Sequence, residues 1–535
     1  MPARSHRQQS SDRPVAVWEG SQFVYHSLAH VNRELTLALI KNSQAADLAV
    51  VPFDAQQFDP RTDPRFAAIQ ERIGRAMPNP PVVHVRHYWP PNFTPPPSGA
   101  WVMVQPWEFG GLPDEWVAPM RDQVDEVWAY TTWLRECYIA SGIPAEKVKV
   151  IPLGVRTDLY QPDGTRYPLA TRKRFKFLFV GGTTGRKGIV NLLQTYRASF
   201  TAADDVCLVI KAIGTESFYA GQHVHDFLAE AAQDPNAPEI EYLDSQLTDP
   251  QMAGLYRACD ALVHPYRGEG FGLPIVEAMA SQLPVIVTGY GACLDYCTDE
   301  NAYLIPAQPV PIPDIRFLPP STTGYWWAEP DLHALATLMQ RVVADPEAAR
   351  KVGRRARQSM LAQTWTRSAQ LVDERLRELA TRTPLRVDPF QPIAAPLPLD
   401  GRRGRVFFHH PRWDGTAWRE VVLAYVTAFG SEDDVMLVLW LDPAQAVAPA
   451  DVQQRLEETF ATAGIDAERT PDLLLVPDDL DLVGLGRLYA AVDWVVPNGD
   501  SVQATRAEHS GAGVLTRLDP ESWRSATWTR GSAPA

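Results

Sequence analysis

Positive charge is scarce in this chain of 535 residues: 50 Lys and Arg stand against 64 Asp and Glu, a formal net charge of −14. A broad basic surface, which sequence-independent nucleic-acid binding needs, is thereby excluded. A small anionic ligand is not, because a local pair of cations outweighs a distant negative average. Cysteine is scarce too. Cys137, Cys207, Cys259, Cys293 and Cys297 are scattered and odd in number, which is not a disulfide framework, and none has further Cys or His at zinc spacing. A reducing cytoplasm fits, and no metal site is expected. No run of about 18 apolar residues occurs, so no membrane-spanning helix is expected. The opening "MPARSHRQQSSDRP" lacks the apolar stretch of a signal peptide and reads as a disordered tail over 1–13.

What is present is an ordinary globular composition, 45% hydrophobic and 21% charged, on a chain too long for one core. Short β-rich runs, "PVAVW" from Pro14, "LAVVPF", "VVHVRH", "WVMVQPW" and "EVWAY", alternate with helical patterns such as "HVNRELTLALIKNS". Near-continuous apolar strands between helices indicate a parallel sheet covered on both faces, a Rossmann-like domain over 14–165. A second series, "FKFLFVGG", "DDVCLVIKA", "EIEYLD", "ALVHPY" and "LPVIVTG", predicts another doubly wound domain over 166–381. Two such domains facing each other leave a cleft at the carboxyl ends of their strands, where open α/β sheets bind ligands.

Residues 382–402 hold a Pro-rich linker, and 403–535 look like an internal copy of the second domain. An offset of 229 aligns Phe179 with Phe408, Tyr196 with Tyr425, Phe200 with Phe429 and "DDV" with "DDV"; an offset of 233 aligns "LYRACDALV" with "LYAAVDWVV". Packing needs shared by all Rossmann-type halves are the alternative source of these matches. Under the first offset Arg186 and Lys187 fall on Gly415 and Thr416, and Glu269 and Glu277 on Asn498 and Arg506, so a copy would keep the strands and lose the charged set. It is expected to be a truncated, non-catalytic domain serving stability, assembly or a partner.

Chemistry concentrates in two loops. "ALVHPY" is a strand entering "RGEGFGL", and "PIVEAMAS" is the helix leaving it, with Pro274 in its first turn. Gly270 and Gly272 allow close backbone approach, and the free N–H groups of the helix start suit negative charge. Glu269 and Glu277 flank that position; each could instead be bland, a solvated loop residue and a helix-dipole carboxylate. In "FVGGTTGRKGIVNLL", Arg186 and Lys187 lie in a glycine-rich turn before a helix expected to pack through Ile189, Val190, Leu192 and Leu193. Two cations there suit a diphosphate, though an exposed basic turn is the plain alternative. The spacing is neither a Walker A loop nor a dinucleotide fingerprint. Asp479 and Asp481 form a DxD that reads as a helix cap, and His409 and His410 have no ligand partners at useful spacing.

These blocks together, "FVGGTTGRKG", "LYRACDALVHPYRGEGFGLPIVEAMASQLPVIVT" and "VKVIPLGVRTDLY", resemble the retaining GT-B glycosyltransferases of family 4, also called glycosyl transferases group 1, whose E-x7-E motif Glu269 and Glu277 match. The resemblance covers about residues 14 to 381. It implies an α/β GT-B fold, two Rossmann-like domains around a cleft, and a nucleotide-sugar donor held without metal or other cofactor. Glu269, with Gly270, Phe271, Gly272 and Leu273, would hold the sugar and phosphate, and Glu277 the ribose. Lys187 would neutralise the diphosphate, with Gly182 alongside and Arg186 standing in for an arginine that the family usually carries earlier in this turn. On the other wall, "VWEGSQFVYHSLAHVNREL" resembles the family's first loop, placing Gly20 and Ser21 near the phosphates. His87 and Glu108 end two further strands facing the reacting sugar, His87 with loop anchoring as its other reading. "TGYWWAEPDLHALATLMQRVV" and "QTWTRSAQLVDERLREL" resemble the closing helices, the last crossing back from Trp365. An inactive GT-B-shaped scaffold is the alternative function, and an epimerase or phosphorylase a weaker one. The acceptor is not legible, and a peripheral membrane or protein partner is left open for the third domain.

Overall fold

The computed structural model describes residues 15–42, 47–74, 83–96, 99–212, 234–312, 318–385, 396–413, 415–442, 445, 447–477, 480, 482–498, 503–504, 506–507 and 510–526. The tail 1–13, the middle of the linker, and Asp479 and Asp481 lie outside them.

Three parallel sheets carry the fold. The first has strands β1 (Val15–Gly20), β2 (Asp47–Val51), β3 (Val83–His87), β4 (Ala100–Val104), β5 (Glu126–Ala129) and β6 (Val148–Val150) in the order β2-β1-β3-β4-β5-β6. The second has β7 (Phe175–Gly181), β8 (Val206–Ala212), β9 (Glu239–Leu243), β10 (Ala261–His264), β11 (Val285–Thr288) and β12 (Tyr303–Ile305) in the order β12-β11-β10-β7-β8-β9. Strands β3, β4, β10 and β11 are buried along their whole length, which is why their apolar runs hardly alternate. Each sheet reverses its strand order beside its first strand. The switch points therefore lie at Gly20 and His87 in one half, and at Gly181 and His264 in the other. Both halves thus have the doubly wound, Rossmann-like topology expected.

By chain contacts there are two compact units, 1–386 and 387–535. In the first, a single apolar cluster runs through both halves, joining Trp18 and Leu35 to Val180, Tyr256 and Val276. The helix Trp365–Ala380 crosses back, as expected, and places Trp365, Val372 and Leu376 in that cluster. Its Arg375 grips the fully buried Glu126 of β5 with Nε and Nη2, and Ser368 Oγ donates to the carbonyl of Pro152 at 2.6 Å.

The stretch from Thr323 was expected to open the closing helices and does not. It is β14 (Trp326–Pro330), paired antiparallel with β13 (Ala307–Pro311), and helix begins only at Leu332 behind the Asp331 cap. The aromatic residues of "GYWWAEP" favour strand, and Pro330 ends it. The hairpin reaches the first half. Gly110 N donates to Trp326 O at 2.9 Å, Thr322 N to Asp114 Oδ1 at 2.7 Å, and Tyr325 joins the cluster of Trp101, Trp107 and Trp116.

The third sheet, β15 (Arg405–His409), β16 (Val435–Trp440), β17 (Asp472–Val476), β18 (Trp494–Val496) and β19 (Gly513–Val514), has the order β17-β16-β15-β18-β19, the second sheet's topology without its last strand. The likeness to the second sheet extends to single contacts. Tyr196 Oη donates to Glu239 O at 2.9 Å, and Tyr425 Oη to Asp472 O at 3.0 Å. The rings Phe177, Tyr196 and Phe200 recur as Phe407, Tyr425 and Phe429. One match needs correction: Phe179 and Phe408 do not correspond. Arg405 pairs with Val435 as Phe175 pairs with Val206, so the first strand is shifted by one residue from the ungapped alignment. With a period of two, that shift puts Phe408 on the opposite sheet face, in the cluster with Tyr489 rather than with Tyr425.

Candidate functional site

At the end of β7 the chain passes through Gly182, Thr183 and Thr184 into a single tight turn, Gly185–Lys187. Thr184 Oγ1 accepts from Lys187 N at 3.3 Å, and Gly188 at φ 72° starts the helix Ile189–Ser199. That helix packs through Ile189, Leu192 and Leu193, whereas Val190, expected with them, is exposed. Lys187 turns inward and its Nζ contacts Glu269 Oε1, to which His264 Nε2 also donates at 3.2 Å. Glu269 and His264 are buried, and the His264 ring stacks on Phe179. Burial opposes the Glu269 charge, but Lys187, the His264 hydrogen bond and Arg186 outweigh it and hold the carboxyl well below its ordinary range. Burial likewise pulls Lys187 below its usual value, only partly countered by Glu269. The plain readings of a solvated loop glutamate and an exposed basic turn are therefore set aside: this is a buried charge cluster at a topological switch point.

Arg186 stitches the two loops together. Its carbonyl accepts from Arg267 N at 2.7 Å, its Nη1 donates to Gly268 O at 2.8 Å, and its Nη2 lies 3.4 Å from Glu108 of the first half. Gly270 runs past Trp107, and its carbonyl accepts from Thr131 Oγ1 at 3.4 Å. Phe271 is buried against Tyr296, Gly272 takes φ 92° at the helix cap, and Leu273 begins the helix Leu273–Ala280 with Pro274 second. A β-carbon on Gly268 would lie 2.1 Å from the carbonyl of Glu108, which is backbone and cannot swing aside. Gly268→Ala is therefore expected to push the halves apart and detach Arg186 from Glu108, to be read as a lower thermal transition of the first unit.

Glu277 has different partners. Its Oε2 accepts from Tyr256 Oη at 2.8 Å, and Tyr160 adds a second hydrogen bond. Burial pushes its carboxyl up to about 7, against the pull of the two tyrosines. The two glutamates thus diverge, one fixed as a charge beside cations and one titrating near neutrality.

On the first half, Gly20 is a packing requirement: a β-carbon there would meet Asn32 Nδ2 at 2.5 Å and His87 O at 2.6 Å. Ser21 is buried and donates to Asp54. The contacts of His87 are those of an anchor. Its Nδ1 bonds Asn32 Oδ1 at 2.6 Å, its Nε2 bonds the Tyr130 hydroxyl, and burial lowers its pKa to about 3. Both ring nitrogens are occupied within the protein, so His87 sets the ends of β1 and β3 instead of presenting a free group to the cleft. Glu108 does face it, across from Arg186.

The structure thus brings Arg186, Lys187, Gly268, Glu269 and Glu108 together, and keeps Glu277 and His87 in networks of their own. Sequence reading missed His264, the second partner of Glu269, although it ends a strand one loop away. It also missed Tyr256, read only as a packing residue, and Arg267, whose Nη2 donates to Glu329 at 2.8 Å. In the copy, Ser510 N donates to Arg506 O at 3.0 Å and Ala512 N to Ala507 O at 2.9 Å, as Ser281 N does to Glu277 O and Leu283 N to Ala278 O, both at 2.9 Å. Arg506 therefore occupies the place of Glu277. The offset falls from 233 at Asp260 and Asp493 to 229 at this helix, so the loop that carries Glu269 is four residues shorter in the copy.

Among known proteins, residues 167–359 match the family model described as glycosyl transferases group 1. An uncharacterized glycosyltransferase of Methanocaldococcus jannaschii is 34% identical over 114 residues, 21% of this chain and 28% of the relative. The MMP alpha-(1->4)-mannosyltransferase of Mycolicibacterium hassiacum is 30% identical over 155 residues, 28% of this chain and 33% of the relative. The chain therefore spans about a third or less of the length of these curated relatives. Among solved structures, sucrose-phosphate synthase from Thermosynechococcus elongatus aligns over 69% of this chain and 99% of its own at 18% identity and a TM-score of 0.49.

Proposed function

We propose that the chain is a retaining glycosyltransferase of the GT-B, family 4 type, moving a sugar from a nucleotide diphosphate to an acceptor in the cleft of the first unit. The observation that carries this reading is the buried Lys187–Glu269–His264 cluster at the second half's switch point, with Glu269 in the loop that runs into the helix Leu273–Ala280. An anion arriving at that helix start meets Lys187 and Arg186, with Gly182 and the 270–273 backbone beside it. Glu269, kept ionised, accepts from hydroxyls of the donor sugar. The bond from the sugar's anomeric carbon to the diphosphate oxygen breaks, Lys187 and Arg186 stabilise the charge left on that oxygen, and the acceptor oxygen bonds to the same face of the carbon. The acceptor's proton passes to the departing diphosphate. Electrostatic stabilisation of the leaving group is the protein's main contribution, and it asks for no metal or other cofactor.

Glu277 accepts from the ribose hydroxyls. Only its ionised form accepts from both, so a carboxyl titrating near 7 makes donor affinity pH-dependent. Donor KM is expected to rise as pH falls through 7, by about tenfold per unit well below it. Glu277→Gln should flatten that profile at a uniformly higher KM; a pH-independent wild-type KM between pH 5.5 and 8 would remove Glu277 from the donor site.

Residues 403–535 are assigned a non-catalytic role, supported by the shortened loop and by Arg506 at the glutamate position. A cytoplasmic location, with a partner engaged by that domain, is part of the same proposal; among the described residues no helix is long and apolar enough to cross a membrane. The deciding experiment is a thermal-shift screen of the full chain with UDP-, GDP-, ADP- and TDP-sugars, followed by donor hydrolysis with the one that binds. Stabilisation by one donor, lost in Glu269→Gln, supports the transferase. A chain that none of them stabilises is the inactive scaffold.

A further inference from the structure

The hairpin strand β14 touches two loops of the site at once. Along the edge that faces away from β13, Trp326 exchanges backbone hydrogen bonds with Gly110, in the loop that carries Glu108, while Ala328 N donates to Arg267 O at 2.8 Å, in the loop that carries Glu269. Residues two apart in a strand also share a face, so Trp327 and Glu329 lie on one side of β14. Arg267 covers that side. Its guanidinium is 4.8 Å from the centre of the Trp327 ring, and its Nη2 donates to Glu329 Oε1 at 2.8 Å. The same Nη2 donates to Asn191 Oδ1 at 3.2 Å, and Asn191 Nδ2 donates to Glu329 Oε1 at 3.1 Å, so the first turn of the helix Ile189–Ser199 closes the cluster. Arg267 also meets the turn Gly185–Lys187. Its N donates to Arg186 O at 2.7 Å, and its Nη1 lies 3.5 Å from Gly185 O. The turn itself is closed by short local bonds, Lys187 N to Thr184 O at 3.0 Å and Gly188 N to Gly185 O at 3.1 Å, and space is open beside Gly185.

We infer that Arg267 is a positioning residue for the turn that carries Arg186 and Lys187, and that β14 is the splint to which it is fastened. Through them the turn is held against Glu269, and Arg186 is kept at the spacing where it meets Glu108 of the first half. The bracing stands on these contacts; its consequence for turnover rests on the glycosyl-transfer reading. Arg267 is not a third phosphate ligand. Its Nη2 is committed to Glu329 and Asn191 and a face of its guanidinium to Trp327, so its charge is already matched. The ion pair with Glu329 is part-exposed and adds little stability by itself, about 1 kcal/mol or less. Its effect is placement: a displacement of about 1 Å in a group that must meet a departing diphosphate costs up to about 100-fold in rate.

The test uses the full chain and two readouts. Hydrogen exchange followed by mass spectrometry needs no donor: Arg267→Ala should speed exchange about tenfold at 184–188 and at 108–111, with the strands of the second sheet unchanged, which shows that the variant is folded. Donor hydrolysis is then measured with UDP-glucose or GDP-mannose, whichever stabilises the wild type. Arg267→Ala should lower kcat about 10- to 100-fold with a smaller rise in donor KM. Glu329→Ala should follow it, and Glu329→Gln, which keeps the oxygen that accepts from Arg267 and Asn191, should regain most of that loss. A direct phosphate ligand would behave otherwise: Glu329→Ala would free the guanidinium and leave donor KM equal or lower, and that result overturns the inference. So does unchanged exchange at 184–188 in Arg267→Ala, or faster exchange there with wild-type kcat and KM. A wild type that no nucleotide sugar stabilises sinks the transferase reading, and the exchange readout alone then upholds or overturns the bracing.

Discussion

Lys187→Ala is expected to lower turnover by about 100- to 1000-fold with a much smaller change in acceptor KM, the signature of a charge that acts mainly as the leaving group departs. The same substitution strips Glu269 of its principal cation while leaving it buried, and a buried carboxylate without its partner is costly. Two consequences separate. In thermal melts Lys187→Ala should be clearly less stable than wild type, whereas Lys187→Met with Glu269→Gln, which removes both charges, should recover much of that stability and none of the activity. Lys187→Arg tests geometry against charge: the cation is kept, but a planar guanidinium does not replace a compact ammonium between Glu269 and the turn. If Lys187→Ala melts like wild type and turns over within about threefold of it, the cluster is neither buried charge nor catalytic machinery.

The largest stability effect is expected away from the site. Arg375→Ala removes the guanidinium that grips fully buried Glu126, where Trp128 Nε1 also donates at 3.0 Å. Breaking one side of such a pair costs about 3 to 5 kcal/mol, and Arg382, 3.5 Å from the same carboxylate, places the loss at the lower end. Because the crossing helix carries Arg375 from the second half's sequence onto the first half's sheet, the loss should appear as an earlier thermal transition of the whole first unit. Chemical denaturation followed by tryptophan fluorescence checks it. Arg375→Lys should rescue only part, since one ammonium cannot reproduce the two-pronged contact, and Glu126→Gln with Arg375→Met should return close to wild-type stability.

How much of this was legible in the sequence depends on the physics behind each feature. Strands buried on both faces announce themselves, so "FKFLFV", "ALVH" and "VIVT" read correctly, and the turn before Ile189 was marked by its glycines. The hairpin was not legible as such: "GYWWAEP" stands directly before a strongly helical run, and its strand partner Ala307–Pro311 contains two prolines, which demote it in any pattern search. Register was not legible either, since Phe407 and Phe408 are interchangeable to an alignment while the pleat assigns them to opposite faces. At the site, residue types gave Lys187, Glu269 and Glu277 as candidates, but only three-dimensional packing distinguishes a histidine with a free ring from His87, whose two nitrogens are already used. Distant partnerships such as Lys187 with Glu269, or Arg186 with Glu108, are set by which strand ends meet, and no local spacing records that.

The hairpin β13–β14 bears on how the two halves can move. The crossing helix already ties them on one side, and the hairpin ties them again beside the 268–273 loop, through the Gly110–Trp326 bridge and the Asp114–Thr322 contacts. A body fastened along both margins does not swing like a door. Any gaping of the halves must either unzip those backbone bonds or bend the hairpin at its roots, Pro306 and Asp331, which are themselves joined by a 2.8 Å hydrogen bond. Opening of the halves is therefore tied to the breaking of those contacts.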